Sequence, residues 1–173
     1  MLFMEKLKIP VSNINNIRLP AHEGDVGHDL VAAQPPFFCG KPLDETKEYF
    51  SLLRYIEYET FVAAKYAEGT YSLVYPRSSI TKDTNLILGN CVGVIDNGYR
   101  DSIKVRFRYI PQPEDYELID GKIFIRVNRE RIYKQGDKIA QLVFMKSQPV
   151  ELVKGSVAND TSRGLGGFGS TGR

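Results

Sequence analysis

Five short stretches of the chain hold side chains able to do chemistry. Asp96 closes the apolar run Cys91 to Ile95 and is followed by Asn97-Gly98-Tyr99-Arg100. Asn-Gly is a strong short-range signal for a β-hairpin turn. With Asn97-Gly98 as a two-residue turn, Asp96 and Tyr99 face each other with Cβ atoms roughly 5 Å apart. That sets a carboxylate and an aromatic ring together at a hairpin mouth; an ordinary surface hairpin with a solvated Asp is the plainer alternative. Pro76-Arg77-Ser78-Ser79 follows one apolar run and precedes a segment suited to a short helix. An Arg, two hydroxyls and free N–H groups suit a phosphate, although a strand end with a capping serine reads the same way without function. Gln141 interrupts the apolar run Ile139 to Phe144. A buried amide there needs partners, whereas an edge position would leave it facing water.

Asp29, in Gly24 to Leu30, stands at the start of a strand, either as a turn carboxylate or as a site group. His22 and His28 are too scattered from other His or Cys to make a zinc site. Magnesium held by phosphates and waters, with Asp29 nearby, fits better. The fifth stretch, Arg163 to Gly172, carries one cation, one ring (Phe168) and two hydroxyls (Ser170 and Thr171) among glycines. Gly164 to Gly169 formally matches a dinucleotide fingerprint, but the chain offers no crossover helix or second strand after it. As a flexible arm it can fold over a ligand, Phe168 stacking on a base while Arg163, Ser170 and Thr171 hold phosphate oxygens; otherwise it is a disordered tail.

The elements that must position these groups read as β throughout. Strands are expected at Leu7 to Val11, Asp29 to Ala33, Arg54 to Ala63, Thr70 to Tyr75, Cys91 to Ile95, Ser102 to Ile110, Lys122 to Val127, Ile139 to Met145 and Val150 to Val153. Closely spaced turn residues favour a barrel or sandwich over a parallel α/β sheet. A helix of about three turns is expected within Leu43 to Leu53, and a short one capped by Ser78 or Ser79 and running to Asn85. Pro111 to Asp120 reads as a polar excursion between strands. Hydrophobic residues are 42% and charged residues 25%, enough for a core. A formal charge of +2 is too small to argue for nucleic acid or a membrane surface but leaves room for a small anion. Cys39 and Cys91 make no disulfide framework, and no apolar run reaches membrane-spanning length, so the expected setting is a reducing intracellular one.

Taken in chain order, the five stretches resemble the motifs of the trimeric dUTP pyrophosphatases, the dUTPase family. Gly27-His28-Asp29-Leu30 is similar to the first motif, with His28 where Tyr is more usual. Pro76 to Ser79 resembles the second, with Ser79 where Gly is commoner, and Gly93 to Arg100 the third. Gly136 to Phe144 resembles the fourth, and Arg163 to Gly172 the fifth. Gly98 stands where the family often has an acid, Asp101 where Gly is usual, and the segments 43–69 and 110–133 depart from the family pattern.

The resemblance implies an all-β distorted jelly roll of the β-clip type in residues 1–158, with an insertion at about 110–133. Residues 159–173 would form the closing arm. It implies a homotrimer with three sites shared between subunits, Mg2+ as cofactor, hydrolysis of dUTP, and a cytoplasmic setting (host cytoplasm or nucleus for a virus). Carried over motif by motif, Asp96 is the general base, Tyr99 packs on the deoxyribose, and Asn90 with Val94, Ile95 and Lys104 reads the uracil. Arg77, Ser78, Ser79 and Gln141 hold phosphates, Arg163 and Phe168 to Thr171 (Gly169 included) close the site, and Asp29 orients a water on the metal. A protein partner at 110–133 is the reading from a different class. The related dCTP deaminases are similar in fold but place a Glu where Arg106 stands here, which argues against deamination.

Overall fold

The structure is a computed structural model and describes residues 7–158, 160–162 and 164–166. In chain order the strands are β1 (Ile17–Arg18), β2 (Gly27–Val31), β3 (Phe37–Pro42), β4 (Tyr49–Glu59), β5 (Thr70–Pro76), β6 (Leu86–Leu88), β7 (Gly93–Ile95), β8 (Lys104–Tyr109), β9 (Tyr116–Ile119), β10 (Lys122–Arg126) and β11 (Lys138–Lys146). A single α-helical turn, α1 (Ile80–Asp83), follows β5 among the described residues. One sheet has the order β1-β2-β11-β5-β7; the other runs β6-β8-β4-β10-β9, with β3 along the remaining edge of β4. β4 is long enough to serve three partners. Ile56 lies between Phe38 and Phe107, while Phe50 lies between Pro42 and Ile125.

The all-β expectation holds, and the core lies where the two sheets face each other. Leu30, Ile139 and Leu142 of the first sheet join Phe50, Ile56, Tyr58 and Phe107 of the second in one fully buried cluster. β8 shows the cause most simply: Lys104, Arg106 and Arg108 are exposed while Val105, Phe107 and Tyr109 are buried, the two-residue alternation of a strand with one wet face. No helix among the described residues is long and apolar enough to cross a membrane.

Several local expectations are overturned. Leu43 to Leu53 is not helical. Asp44 Oδ1 accepts from the Thr46 N–H at 2.9 Å, Leu43 N–H donates to Tyr49 O at 2.8 Å, and β4 begins at Tyr49. Local Asp capture of backbone, plus pairing with β3, outweighs the weak helical spacing. The polar excursion Pro111 to Asp120 ends in a strand beyond those expected: β9 starts at Tyr116 and forms a hairpin with β10 through Asp120-Gly121. Leu7 to Val11 contributes only a single bridge, Val11 to Ala64. Val150 to Val153 forms no strand, and its side chains are exposed.

The largest correction concerns Asn97-Gly98. β7 and β8 do not pair: β7 belongs to the first sheet, beside β5, and β8 to the second, between β4 and β6. Tyr99 N–H still donates to Asp96 O at 3.0 Å, closing a turn. Neither Asn97 nor Gly98 has the left-handed φ that a two-residue hairpin of this type requires. Instead the Asn97 amide donates to Ala67 O at 2.7 Å and Thr70 O at 3.0 Å, fastening the turn to the start of β5.

Candidate functional site

The predicted site residues fall into two separate groups. The first surrounds a cavity of about 560 Å³, open to solvent, lined by Asn90, Val94, Ile95, Tyr99 and Lys104 together with Tyr55 and Arg106. Its floor is the edge of the first sheet. Among the described residues β7 is the last strand of that sheet and bonds only to β5, so half of its backbone donors and acceptors face away from β5 without a described strand partner. Such an edge can pair with the hydrogen-bonding edge of a planar ring. Gly93 keeps the floor flat; a Cβ there would come within 3.3 Å of the Val74 side chain and 3.5 Å of the Asn90 amide. The chain turns tightly ahead of it, with Cys91 at φ 60° and Val92 N–H on Asn90 O at 2.6 Å.

Asp96 follows β7 directly and is exposed, and Tyr99 is half-exposed with its hydroxyl donating to Ser102 O at 2.9 Å. Lys104 stands across β4 from Glu59 and is within 3.8 Å of its carboxylate and 3.7 Å of Asp101. Arg106 bonds Glu57 at 2.6 Å and lies 4.7 Å over the Tyr55 ring; the Glu57 bond holds its guanidinium pKa above the usual value.

The second group centres on Asp29, whose side chain is mostly buried in the middle of the first sheet. Lys138 Nζ is 2.9 Å from Asp29 Oδ2, while Gln141 Nε2 donates to Oδ1 at 3.2 Å and Arg77 Nε lies 3.5 Å from it. Gln141 is therefore on a central strand, flanked by Asp29 and Tyr75, and the water-facing edge alternative is excluded. Lys138 and Gln141 are three apart and would normally point to opposite faces of a strand. A register shift in β11 between Lys138 and Ala140 resets the alternation, so both reach one carboxylate while Ile139 and Ala140 are buried together. Gly27 leaves the room this needs, since a Cβ would sit 3.0 Å from the Gln141 amide nitrogen.

Two cations, Lys138 and Arg77, thus meet the Asp29 carboxylate at this corner. Beside it, Ser79 precedes α1 without a side-chain capping bond, and neither the Ser78 nor the Ser79 hydroxyl is engaged by another described residue. Among the described residues no group of three or more His, Cys, Asp or Glu gathers as a metal site. Arg163, Phe168, Gly169, Ser170 and Thr171 lie outside the described residues.

The two groups are far apart on one chain. Through the register, Asp96 follows Ile95, which lies level with Ser72 and Phe144, whereas Asp29 is level with Gln141. Three strand spacings and four residues along the strand put Asp96 roughly 20 Å from Asp29. Reading the sequence missed Lys138 and Asn97 as supporting groups. Lys138 carries no signal beyond its place ahead of an apolar run, because the bulge that aims it is not visible there. Asn97 was legible only as a turn residue.

A family model described as dUTPase matches residues 115–172. The deoxyuridine 5'-triphosphate nucleotidohydrolase of Mycobacterium tuberculosis is 34% identical over 157 residues, covering 88% of this chain and 84% of that protein. The enzyme of the same name from Finegoldia magna is 29% identical over 168 residues, covering 96% and 99%. Among solved structures, Staphylococcus bacteriophage 80alpha dUTPase with dUPNHPP aligns at a TM-score of 0.67 and 23% identity, covering 97% of this chain and all of that one. A dUTPase variant from phage phi11 of S. aureus, described as coordinating a structural Mg(II) ion, aligns at a TM-score of 0.58 and 22% identity. These likenesses bear out the β-clip jelly roll. With the Mycobacterium identity sustained over most of both chains, this protein belongs to the dUTPase family.

Proposed function

We propose that the protein hydrolyses dUTP to dUMP and pyrophosphate, supplying dUMP for thymidylate synthesis and keeping uracil out of DNA. The observation that carries the reading is the open edge of β7: backbone groups free to pair with a base lie immediately before Asp96. In this reading Asn90 and the main chain of Val94 and Ile95, with Lys104, read the uracil edge, and Tyr99 packs on the deoxyribose. A narrow pocket rejects the thymine methyl, and cytosine presents a donor where an acceptor is expected. Asp96 takes a proton from the water that attacks the α-phosphorus, and pyrophosphate leaves. Negative charge growing on the phosphate oxygens is met by Arg77, Ser78, Ser79 and Gln141, and electrostatic stabilisation of this kind usually contributes most to catalysis. Phe168 covers the base, while Arg163, Gly169, Ser170 and Thr171 close on the phosphates and exclude water.

The separation of the two groups supports a shared site. A base must be within about 3 Å of the attacking water, and that water within about 3.5 Å of phosphorus. A gap of roughly 20 Å between Asp96 and Asp29 within one chain is too wide for Asp96 and the Asp29 corner to serve adjacent atoms of one triphosphate. We therefore read the working form as a homotrimer in which one copy supplies the base-binding half and another the phosphate half.

The donor set also suits Mg2+. A mostly buried carboxylate, Asp29, next to a phosphate corner fits a hard cation whose remaining ligands are waters and phosphate oxygens. When bound, magnesium would offset triphosphate charge. With this activity the reading sets the protein in the cytoplasm, or in host cytoplasm or nucleus for a virus. Deamination is disfavoured because Arg106, bonded to Glu57, stands where a deaminase would need a carboxylate.

The decisive measurement is pyrophosphate release from dUTP, dCTP, dTTP and UTP with magnesium. Only dUTP should turn over rapidly; a flat profile, or ammonia release from dCTP, would replace this reading. A second role, contact with a protein partner, is favoured by the β9–β10 hairpin. Its facing pair Leu118 and Ile123 is 74% and 67% exposed. Deleting residues 112–120 and measuring hydrolysis and partner capture separately tests it.

A further inference from the structure

We propose that Glu59, which lies in none of the five stretches, is a positioning residue that sets the preference for deoxyribose over ribose. The inference rests on the reading of Tyr99 as the residue packed against the sugar.

Glu59 ends β4 and is 8% exposed, so its carboxylate must be satisfied by the protein. Oε1 accepts from the Ser102 hydroxyl at 2.6 Å and from the Phe61 N–H at 2.8 Å. Oε2 faces Lys104 Nζ at 3.8 Å. Ser102 is the residue whose carbonyl accepts the Tyr99 hydroxyl at 2.9 Å. One buried oxygen atom thus holds the residue to which the Tyr99 ring is pinned.

The surrounding backbone makes this a fixed point. Phe61 sits at φ 55°, a left-handed conformation uncommon for a side chain of that bulk, with its N–H donated to Glu59. Thr60 Oγ1 donates to Ile103 O at 2.7 Å, and Ile103 N–H donates to Val62 O at 2.8 Å. The end of β4 is therefore stitched to 102–104 on both sides of the Glu59–Ser102 bond. The far end of the same loop is tied elsewhere, by Asn97 to Ala67 and Thr70. Tyr99 inherits its place from these two anchors. Excluding one hydroxyl oxygen from a sugar requires the ring to be held to a fraction of an ångström. Loosening Ser102 would let the ring retreat without disturbing Asp96 or the core.

The test compares kcat and KM for dUTP and UTP in the wild type, Ser102→Ala, Glu59→Ala, Glu59→Gln and Tyr99→Ala. Losing one charge-assisted bond should lower the dUTP-to-UTP ratio of kcat/KM about tenfold in Ser102→Ala. The change should come mainly through better use of UTP, with kcat for dUTP little altered. Glu59→Ala should fall at least as far. Glu59→Gln keeps an acceptor oxygen for Ser102 and Phe61 and should restore the ratio. A wild-type ratio in Ser102→Ala overturns the proposal whatever its melting temperature, and that variant leaves the buried carboxylate in place should Glu59→Ala fail to fold. A Glu59→Gln ratio as low as that of Ser102→Ala also overturns it. If instead Tyr99→Ala retains full discrimination, the reading of Tyr99 is wrong and the proposal falls with it, a result distinct from failure at Ser102 alone.

Discussion

Two pairs of Asn or Asp followed by Gly stand between strands in this chain, Asn97-Gly98 and Asp120-Gly121, and only the second closes a hairpin. Asp120 and Gly121 have φ values of 49° and 73°, the left-handed pair that matches strand twist, and Ile119 pairs with Lys122 across them. At Asn97-Gly98 both residues stay out of that region, and the flanking strands go to different sheets. A turn signal closes a hairpin only when its flanks have no better partners. β9 has only β10, whereas β7 has β5 and β8 has both β4 and β6. The consequence is chemical. The closed hairpin uses its facing backbone groups on itself, while the opened segment leaves the β7 edge exposed to a cavity of about 560 Å³.

The sharpest break between the two regions should come from their acids. Asp96→Asn is expected to cut dUTP turnover by about 10²–10⁴-fold, the usual worth of a general base. Binding of a non-hydrolysable dUTP analogue, followed by calorimetry, should persist, and Asp120→Asn should leave turnover unchanged. Substantial hydrolysis by Asp96→Asn would remove it as the base. Next in size is a mixing effect: Asp96→Asn and Arg77→Ala, each inactive alone, should regain activity when refolded together. Mixed trimers would then contain sites with both halves intact. No recovery in mixed trimers verified by mass would place both halves on one chain.

Asn97→Ala removes two hydrogen bonds worth about 1 kcal/mol each. It should raise KM for dUTP by about tenfold or more, and an unchanged KM would detach the Asn97 anchor from base binding. Smaller still is the glycine contrast. Gly121→Ala forces a side chain into the left-handed region and should cost about 1 kcal/mol, lowering Tm by about 2–4 °C. Gly98→Ala should be neutral, because its φ is unexceptional and open space surrounds the new Cβ. Equal effects at the two sites would erase the distinction between the turns.

The mildest effect concerns the foot of the true hairpin. Tyr109 donates to Asp115 at 2.6 Å; burial, then this bond, push its pKa from 10.0 up to about 12. A folded pKa above the unfolded one means its contribution is complete below pH 10 and is lost as pH rises through about 12. Chemical denaturation across that alkaline window should show the fall, and Tyr109→Phe should make it shallower, the remainder including Tyr133, which burial also raises to about 12.

Much of the site was legible because its signals are local. Arg77-Ser78-Ser79, Gln141 and Asp96 stood out as polar groups at the ends of, or inside, apolar runs, and all lie at the two groups described. Lys138, Asn97 and Glu59 did not stand out. Their roles depend on what lies opposite them: a bulge in the neighbouring strand register for Lys138, two carbonyls some thirty residues away for Asn97, and a serine 43 residues on for Glu59.

By itself the sequence determined the class of fold, the identity of the chemical groups and their order along the chain, since alternation, turn composition and side-chain type are short-range properties. Tertiary structure alone decided that Leu43 to Leu53 is loop and strand, that β7 and β8 part company, and that the group at the β7 edge and the group around Asp29 lie apart on one chain. The reason is competition. Every strand edge chooses among all the partners that bury its apolar face, and that contest is settled by contacts across the whole molecule, beyond the reach of any local window.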